Sequence, residues 1–345
     1  MDSSIALILL QDGLVNGAIY ALLGMALVLV FAVTRVIFIP QGEFVTFGAL
    51  TLAMLVDGKV PGTVYLLLLL GGLVLLQELL RALRSGQWRA LPRTVLACAV
   101  LPAALFWLTR RLASPDTSLW VDMLLTLLLI VPMGGMIHRV VYRPLAEASV
   151  LVLLITSVAV HFVLVGLGLV FFGAEGWRTP AFIDGQVDFG LTSWSAQSLF
   201  VIGTAVVLIA ALWLFFGKTL YGRALRATAV NRRGARLVGI SSDMSGGLTF
   251  TLAALLGAVS GILIAPLTTI YYDTGFLIGL KGFVGAIIGA LASYPAAAAG
   301  AILVGLLESF SSFWASAYKE VIVFTLIIPV LLWLSLRAGP AHDEE

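Results

Sequence analysis

Ser260 is the first residue to weigh as a nucleophile. It sits in the string Gly257-Ala258-Val259-Ser260-Gly261, and His161, set within an apolar run, is the base that an intramembrane hydrolase would use. The spacing is wrong for the G-x-S-x-G elbow that presents a nucleophilic serine. Gly257 and Gly261 instead make a G-x-x-x-G helix-packing face, with Ser260 expected to bond back to its own helix. The other histidines, His138 and His342, are far from His161 in sequence and none has ligand spacing, so no metal site is expected. Cys98 is the single cysteine, which leaves no intrachain disulfide. No G-x-x-x-x-G-K-[ST] string occurs; the nearest, Gly275–Lys281, lacks both the spacing and the hydroxyl. The expectation is a chain with no catalytic residues, no metal and no cofactor of its own.

The remaining polar residues of interest stand in apolar surroundings, where each needs a partner or a water-filled path. Asn16 and Tyr20 are four residues apart and share one helical face. They are expected to glue helices together or to line a substrate path. Pro40-Gln41-Gly42-Glu43 breaks the chain between two apolar runs. The backbone groups freed there must face protein or a cavity, and Glu43 would sit at a half-helix start, where a carboxylate is favoured. Gln41, Gly42 and Glu43 are therefore candidates for the path, with an interfacial turn near Arg35 as the plainer reading. Thr268 and Thr269, after Pro266 at the outer end of a later run, are further candidates. Lys281 and Glu308 are expected to pair as a buried structural contact; Asp273 is a second possible partner for Lys281.

The elements that must position these residues follow from composition. The chain has 345 residues, 61% of them hydrophobic and 11% charged, with mean hydropathy +1.08. Soluble domains run at about 45–50% apolar and about 25% charged. A soluble enzyme, a disordered regulator and a secreted disulfide scaffold are excluded. A crossing helix needs about 20 apolar residues. Long candidates lie at 6–34, 62–80, 119–137, 149–172, 198–216, 247–270 and 320–336, and shorter ones near 42–56, 94–109, 276–292 and 296–314. The fold expected is an all-α polytopic helical bundle with about nine to eleven membrane segments, some short or re-entrant. The first segment is not expected to be a cleaved signal, because Asp2 stands where a basic stretch would be and the run is too long.

Basic residues set the orientation. Residues 81–93 hold Arg81, Arg84, Arg89 and Arg93 with no acid, and 138–147 hold Arg139 and Arg143 against Glu147. Residues 217–245 hold six basic residues against Asp243, whereas 173–197 hold Arg178 against Glu175, Asp184 and Asp188. The first three loops are expected inside and the fourth outside, with the N-terminus outside and the C-terminus inside. Arg110 and Arg111 then fall outside, against the trend. Trp107, Trp120, Trp213 and Trp333 lie near span ends, as an aromatic belt expects. One membrane domain over 1–345 is expected, and the tail after Arg337, with Gly339, Pro340, Asp343, Glu344 and Glu345, is expected to fray.

The loop 217–245 carries the most information. Arg223, Arg226, Arg233 and Arg236 fall on neighbouring turns of a broken amphipathic helix, with Ala224, Ala227 and Ala235 as close-approach surfaces. Gly234 is expected to interrupt the helix and Gly239 to end it. Such a segment either lies on anionic lipid or docks a cytoplasmic partner, with arginines supplying orientation and on-rate.

This loop resembles the coupling segment of permeases of branched-chain amino acid ABC importers. Gly222, Arg223, Arg226, Ala227, Ala229, Gly239 and Ile240 fit the pattern G-R-x-x-R-A-x-A followed by G-I. Val230 stands where the family usually has an acid, so a salt bridge made there is not expected. Asn16-Gly-Ala-Ile-Tyr20-Ala-Leu22, Arg139-Val-Val-Tyr-Arg143-Pro-Leu145, Gly275 to Phe283, and Ser293-Tyr-Pro295 with Gly300, Gly305 and Glu308 resemble four further ordered motifs. Gln41-Gly42-Glu43 stands where histidine-glycine-aspartate is often found. Residues 62–118 read as an added helical pair.

The resemblance implies the assembly: a second permease chain, non-identical in this family, two cytoplasmic ATPases that bind ATP and Mg, and a periplasmic substrate-binding protein. It makes 217–245 the coupling loop, with Arg233 and Arg236 beside the motif residues, and 173–197 a periplasmic loop in a bacterial inner membrane. The function expected is that of a permease subunit of an ATP-driven importer for branched-chain or related amino acids, with no bond chemistry and no nucleic-acid partner. The other class to weigh is a self-sufficient secondary carrier or channel, which would need no docking loop and would show an ion or proton site at mid-membrane.

Overall fold

A computed structural model of the chain describes residues 3–86, 88, 91–188, 190 and 193–338. Asp2, Arg89, His342 and the tail from Gly339 to Glu345 lie outside the described residues. The helices run in order as α1 (Ser3–Thr34), α2 (Gln41–Val56), α3 (Thr63–Ser85), α4 (Leu91–Val95), α5 (Leu101–Leu112), α6 (Leu119–Ile137) and α7 (Val150–Phe172). After a small hairpin come α8 (Ala196–Lys218), α9 (Leu220–Val230), α10 (Arg232–Leu237), α11 (Ser242–Ile264), α12 (Thr274–Ile288), α13 (Tyr294–Ala315), α14 (Lys319–Thr325) and α15 (Ile327–Ala338). Among the described residues, eight helical stretches are long and apolar enough to cross a membrane. Helices α2 and α12 are shorter. Their 16 and 15 residues reach about 24 and 22 Å, less than a hydrocarbon core of about 30 Å. This is the all-α polytopic bundle that the composition predicts, with short segments among the long ones.

Large apolar side chains point outward along the long helices, among them Leu151, Phe162 and Val170 of α7, and so do Trp107, Trp120, Trp213 and Trp333. Their solvent is a bilayer. Two local features escape the spacing of apolar residues. The 173–197 loop contains a hairpin, β1 (Gln186–Asp188) paired antiparallel with β2 (Ser193–Ser195), too short and too exposed to show a period. Between α4 and α5 the helix widens into a π-turn at Leu96–Val100. Pro102 has no N–H to give the Cys98 carbonyl, and that oxygen faces Gly71 of α3, where only a hydrogen leaves room for it. The expected run 247–270 is helical only to Ile264; residues beyond it form a turn that contains Pro266.

The chain divides into two compact units. The first comprises 1–28, 183–212 and 278–345, and the second 29–182 and 213–277. In the first, α1 packs on α12 and α13 through small residues: Gly17 lies against Gly305, and Gly24 against Gly282, too close for a side chain at either contact. In the second, α11 packs on α2 and α6. Gly257 abuts Phe44, and Gly261 lies on the Val45 carbonyl, so the G-x-x-x-G face is turned toward α2. Ser260 does not bond back to its helix as expected; its Oγ is buried without a partner among the described residues.

The second unit sorts its loops into two ends. At one end Gln77 of α3 donates to the Val140 carbonyl, Arg143 pairs with Asp243 at 3.0 Å, and Arg232 donates to the Ala146 carbonyl. The basic stretches at the end of α3, at 138–147 and at 217–245 thus gather together. At the other end Trp177 bridges to Ile270, Arg178 donates to the Pro266 carbonyl at 3.0 Å, and Lys59 lies over the Trp177 ring. Arg111 is held on the Trp107 ring at 4.0 Å from its centroid.

Candidate functional site

Helix α2 begins at the predicted break. Pro40 precedes it, Gln41 and Gly42 open its first turn, and Glu43 is the acid of that turn. All three are fully buried. The Gln41 amide donates to the Ala253 carbonyl of α11 at 2.9 Å. Glu43 Oε1 meets His161 Nδ1 of α7 at 2.7 Å, and the imidazole lies on the Phe276 ring with centroids 4.6 Å apart. Gly42 and Thr46 face Gly275 at the start of α12, where no side chain would fit. Four buried polar atoms here have no partner among the described residues: Gln41 Oε1, Glu43 Oε2, Thr46 Oγ1 and Ser260 Oγ. Each such atom in an apolar interior costs free energy, so unmet acceptors at the start of a broken membrane helix mark a polar station.

His161 was legible only as a possible base for Ser260. Its partner is Glu43, 118 residues away, and no spacing rule connects them. Thr268 and Thr269 lie in the turn after α11 and are exposed; Gly176 packs on Thr269.

In the first unit, Lys281 of α12 lies 2.5 Å from Glu308 Oε1 of α13 and 3.1 Å from Glu320 Oε1 of α14. Tyr20 of α1 donates its hydroxyl to Glu308 Oε2 at 2.6 Å. Lys281 is thus held by two carboxylates of its own unit, and Asp273 makes no ion pair among the described residues. Tyr20 is joined to this cluster, while Asn16 is half-buried beside it in sequence. Glu320 is the member that the sequence did not reveal. It lies past the short turn Ser316–Tyr318, which interrupts helical spacing.

At the basic end of the second unit, the segment 217–245 contains two short helices, α9 and α10. The break is at Asn231, whose side chain accepts from the Gly234 N–H and so starts α10. Gly234 lies inside α10 and does not interrupt it: an N-cap is a stronger stop than one glycine. Gly239 does end the segment, at φ +87, with the Ile240 N–H returning to the Ala235 carbonyl. Gly222 has a structural task. It lies on the Phe215 backbone, and the Thr219 hydroxyl caps its N–H at 3.0 Å. Leu225 and Thr228 are buried on one face of α9, and Thr228 contacts Ser245 of α11 at 3.2 Å.

On the opposite face Arg223, Arg226, Ala227 and Val230 line a groove of about 620 Å³ with Asn231, Gly234, Ala235 and Val238. Ala229 is half-buried beside it. Leu220, Val230, Leu237 and Val238 are each more than three-quarters exposed. Arg233 and Arg236 line a different cavity, together with Arg232. Burial first, and then the charge of Arg236, hold the Arg232 guanidinium below its ordinary pKa.

The motifs that run in order along the sequence agree with the family comparison. The model of the family described as "Branched-chain amino acid transport system / permease component" matches residues 9–331. This chain belongs to that family. The permease is 32% identical over 207 residues to the high-affinity branched-chain amino acid transport system permease protein LivH of Escherichia coli (strain K12), covering 58% of this chain and 67% of that one. It is 33% identical over 208 residues to the permease protein BraD of Pseudomonas aeruginosa, at 58% and 67% coverage. A probable LivH of Methanocaldococcus jannaschii is 28% identical over 212 residues, covering 57% of this permease and 67% of its own length. No solved structure matches significantly. The permease is a transport subunit and a multi-pass inner-membrane protein.

Proposed function

We propose that this permease is the membrane subunit of an ATP-driven importer for branched-chain or related amino acids. In this reading a periplasmic binding protein delivers the substrate, a second and non-identical permease chain completes the path, and two cytoplasmic ATPases supply the work and hold the ATP and Mg. The observation that carries the reading is the groove on α9 and α10. Apolar side chains there are exposed at the basic end of the second unit, where positive loops face the cytoplasm. Exposed apolar surface rimmed by charge calls for a cover, and Arg223 and Arg226 would orient the partner while Ala227 lets it come close. Movement of α9 reaches the membrane through the Thr228 contact with Ser245 on α11, and α11 packs on α2, whose first turn holds Gln41, Gly42 and Glu43.

A mostly apolar lumen suits leucine-like side chains, while the ammonium and carboxylate of an amino acid need polar partners along the way. Glu43, one of whose carboxyl oxygens has no partner among the described residues, is the partner offered to the ammonium. The test is uptake by the assembled transporter in liposomes, with the ATPase purified alongside. Arg226→Glu is expected to abolish co-purification of the ATPase and ATP-driven uptake; full uptake with this variant sinks the reading.

The buried Glu43–His161 pair favours a second reading, a secondary carrier that moves a proton with its substrate. It predicts uptake by this chain alone, driven by a proton gradient.

A further inference from the structure

Three arginines meet where the basic end of the second unit reaches the start of a membrane span. Arg232, Arg233 and Arg236 line a cavity of about 450 Å³ whose other wall is Ala146 and Glu147. That volume lies in the range of small-ligand sites, about 300–1,000 Å³. Ala146 and Glu147 shortly precede Ser149, the residue that caps α7 as it begins its crossing.

The polar atoms here are incompletely used. Arg232 Nη1 donates to the Ala146 carbonyl at 3.3 Å, but its Nε is buried with no partner among the described residues. Arg236 gives its Nε to Ser242 Oγ at 2.6 Å, which fixes the guanidinium and leaves its outer donors free of any described bond. None of the three arginines forms an ion pair among the described residues, and the single acid of the cavity leaves it with a net charge of two positive units. A phosphate diester carries one negative charge and a free phosphate up to two, and both present several acceptor oxygens that guanidinium forks match.

We propose that this cavity binds a phosphate group, and that its nearest source is the headgroup of an anionic phospholipid in the inner leaflet. The cavity is separate from the groove of Arg223 and Arg226, and the proposal does not rest on the importer reading. It takes Arg233 and Arg236 out of the docking surface. A span emerging beside a basic cavity places a lipid headgroup within reach, and the bound phosphate would tie α10 to the start of α7.

The full chain, purified in detergent, tests this by native mass spectrometry with phosphatidylglycerol against phosphatidylcholine, and by equilibrium dialysis with inorganic phosphate. Retention of phosphatidylglycerol without saturable uptake of inorganic phosphate identifies a lipid source; saturable binding of inorganic phosphate identifies a free one. In either case Arg232→Gln and Arg236→Gln are expected to weaken binding roughly tenfold or more, since each removes a charged hydrogen bond. Arg226→Gln is expected to leave binding unchanged. Arg233→Gln, on the exposed side of the cavity, reports the same loss should the half-buried Arg232 be needed for folding. Equal weakening by Arg226→Gln means unspecific attraction and overturns the proposal, as does binding of neither probe or of both lipids alike. Loss of ATPase co-purification in Arg232→Gln with phosphate and lipid binding intact assigns the cavity to an acidic protein side chain and also overturns it.

Discussion

Removing one member of a buried polar pair strands the other, and this asymmetry makes Glu43 and His161 separable by mutation. His161→Ala leaves the Glu43 carboxyl group without its one described partner, a loss of about 1–3 kcal/mol. Glu43→Gln keeps a hydrogen-bonding group of the same shape and is expected to lower stability by only about 1 kcal/mol. Thermal unfolding in detergent reads the difference. Uptake then separates charge from structure: unchanged transport by an assembled Glu43→Gln variant removes the charge from the mechanism. The Lys281 cluster behaves in the opposite sense. Lys281→Met leaves two carboxylates facing each other, so it should destabilise more than Tyr20→Phe, which gives up one charged bond worth about 1.5–3 kcal/mol. Glu308→Gln added to Lys281→Met should restore part of the loss. If the double variant melts no higher than the single one, the ion pair is not what holds α12 to α13.

At the scale of elements, glycine placement governs how closely helices approach. Gly261 rests on the Val45 carbonyl, so Gly261→Val must push α11 from α2 and is expected to reduce the yield of folded protein. The cost exceeds the usual overpacking figure of about 1–3 kcal/mol, because backbone rather than a side chain is in the way. Asn231→Ala removes the cap of α10 and should cost about 0.5–2 kcal/mol, seen as faster hydrogen exchange confined to 232–237.

Much of this level was legible beforehand. The apolar runs predict about nine to eleven membrane segments, and eight long apolar stretches with two shorter apolar helices are found among the described residues, because hydropathy and length alone decide what crosses a bilayer. Lys281 and Glu308 could be paired on paper because few charges interrupt the apolar runs around them. Glu320 could not, since a turn lies between it and α13. The Glu43–His161 contact depends on how α2 packs against α7, and nothing in either segment encodes that. The break at Asn231 is encoded in its capping chemistry, whereas Gly234, the more familiar kind of interruption, is carried inside the helix.

For the molecule as a whole, sidedness is the property that matters most, and Cys98 makes it measurable. With Cys98→Ala as background, the chain is free of thiols. A cysteine at Leu237 should react with a membrane-impermeant reagent only from the cytoplasmic side, and one at Asp184 only from outside. Labelling of Leu237→Cys from outside would remove the groove from any cytoplasmic motor.

The joint at Asn231 bears on how force would pass through such a molecule. A single rigid rod transmits every push in full, including random jostling by its driver. Two short rods meeting at an elbow take up small displacements as bending and pass on only a stroke large enough to straighten the joint. In the proposed importer such a joint would filter noise in the motor from the gate, and stiffening it would make the passage leak in step with idle motion.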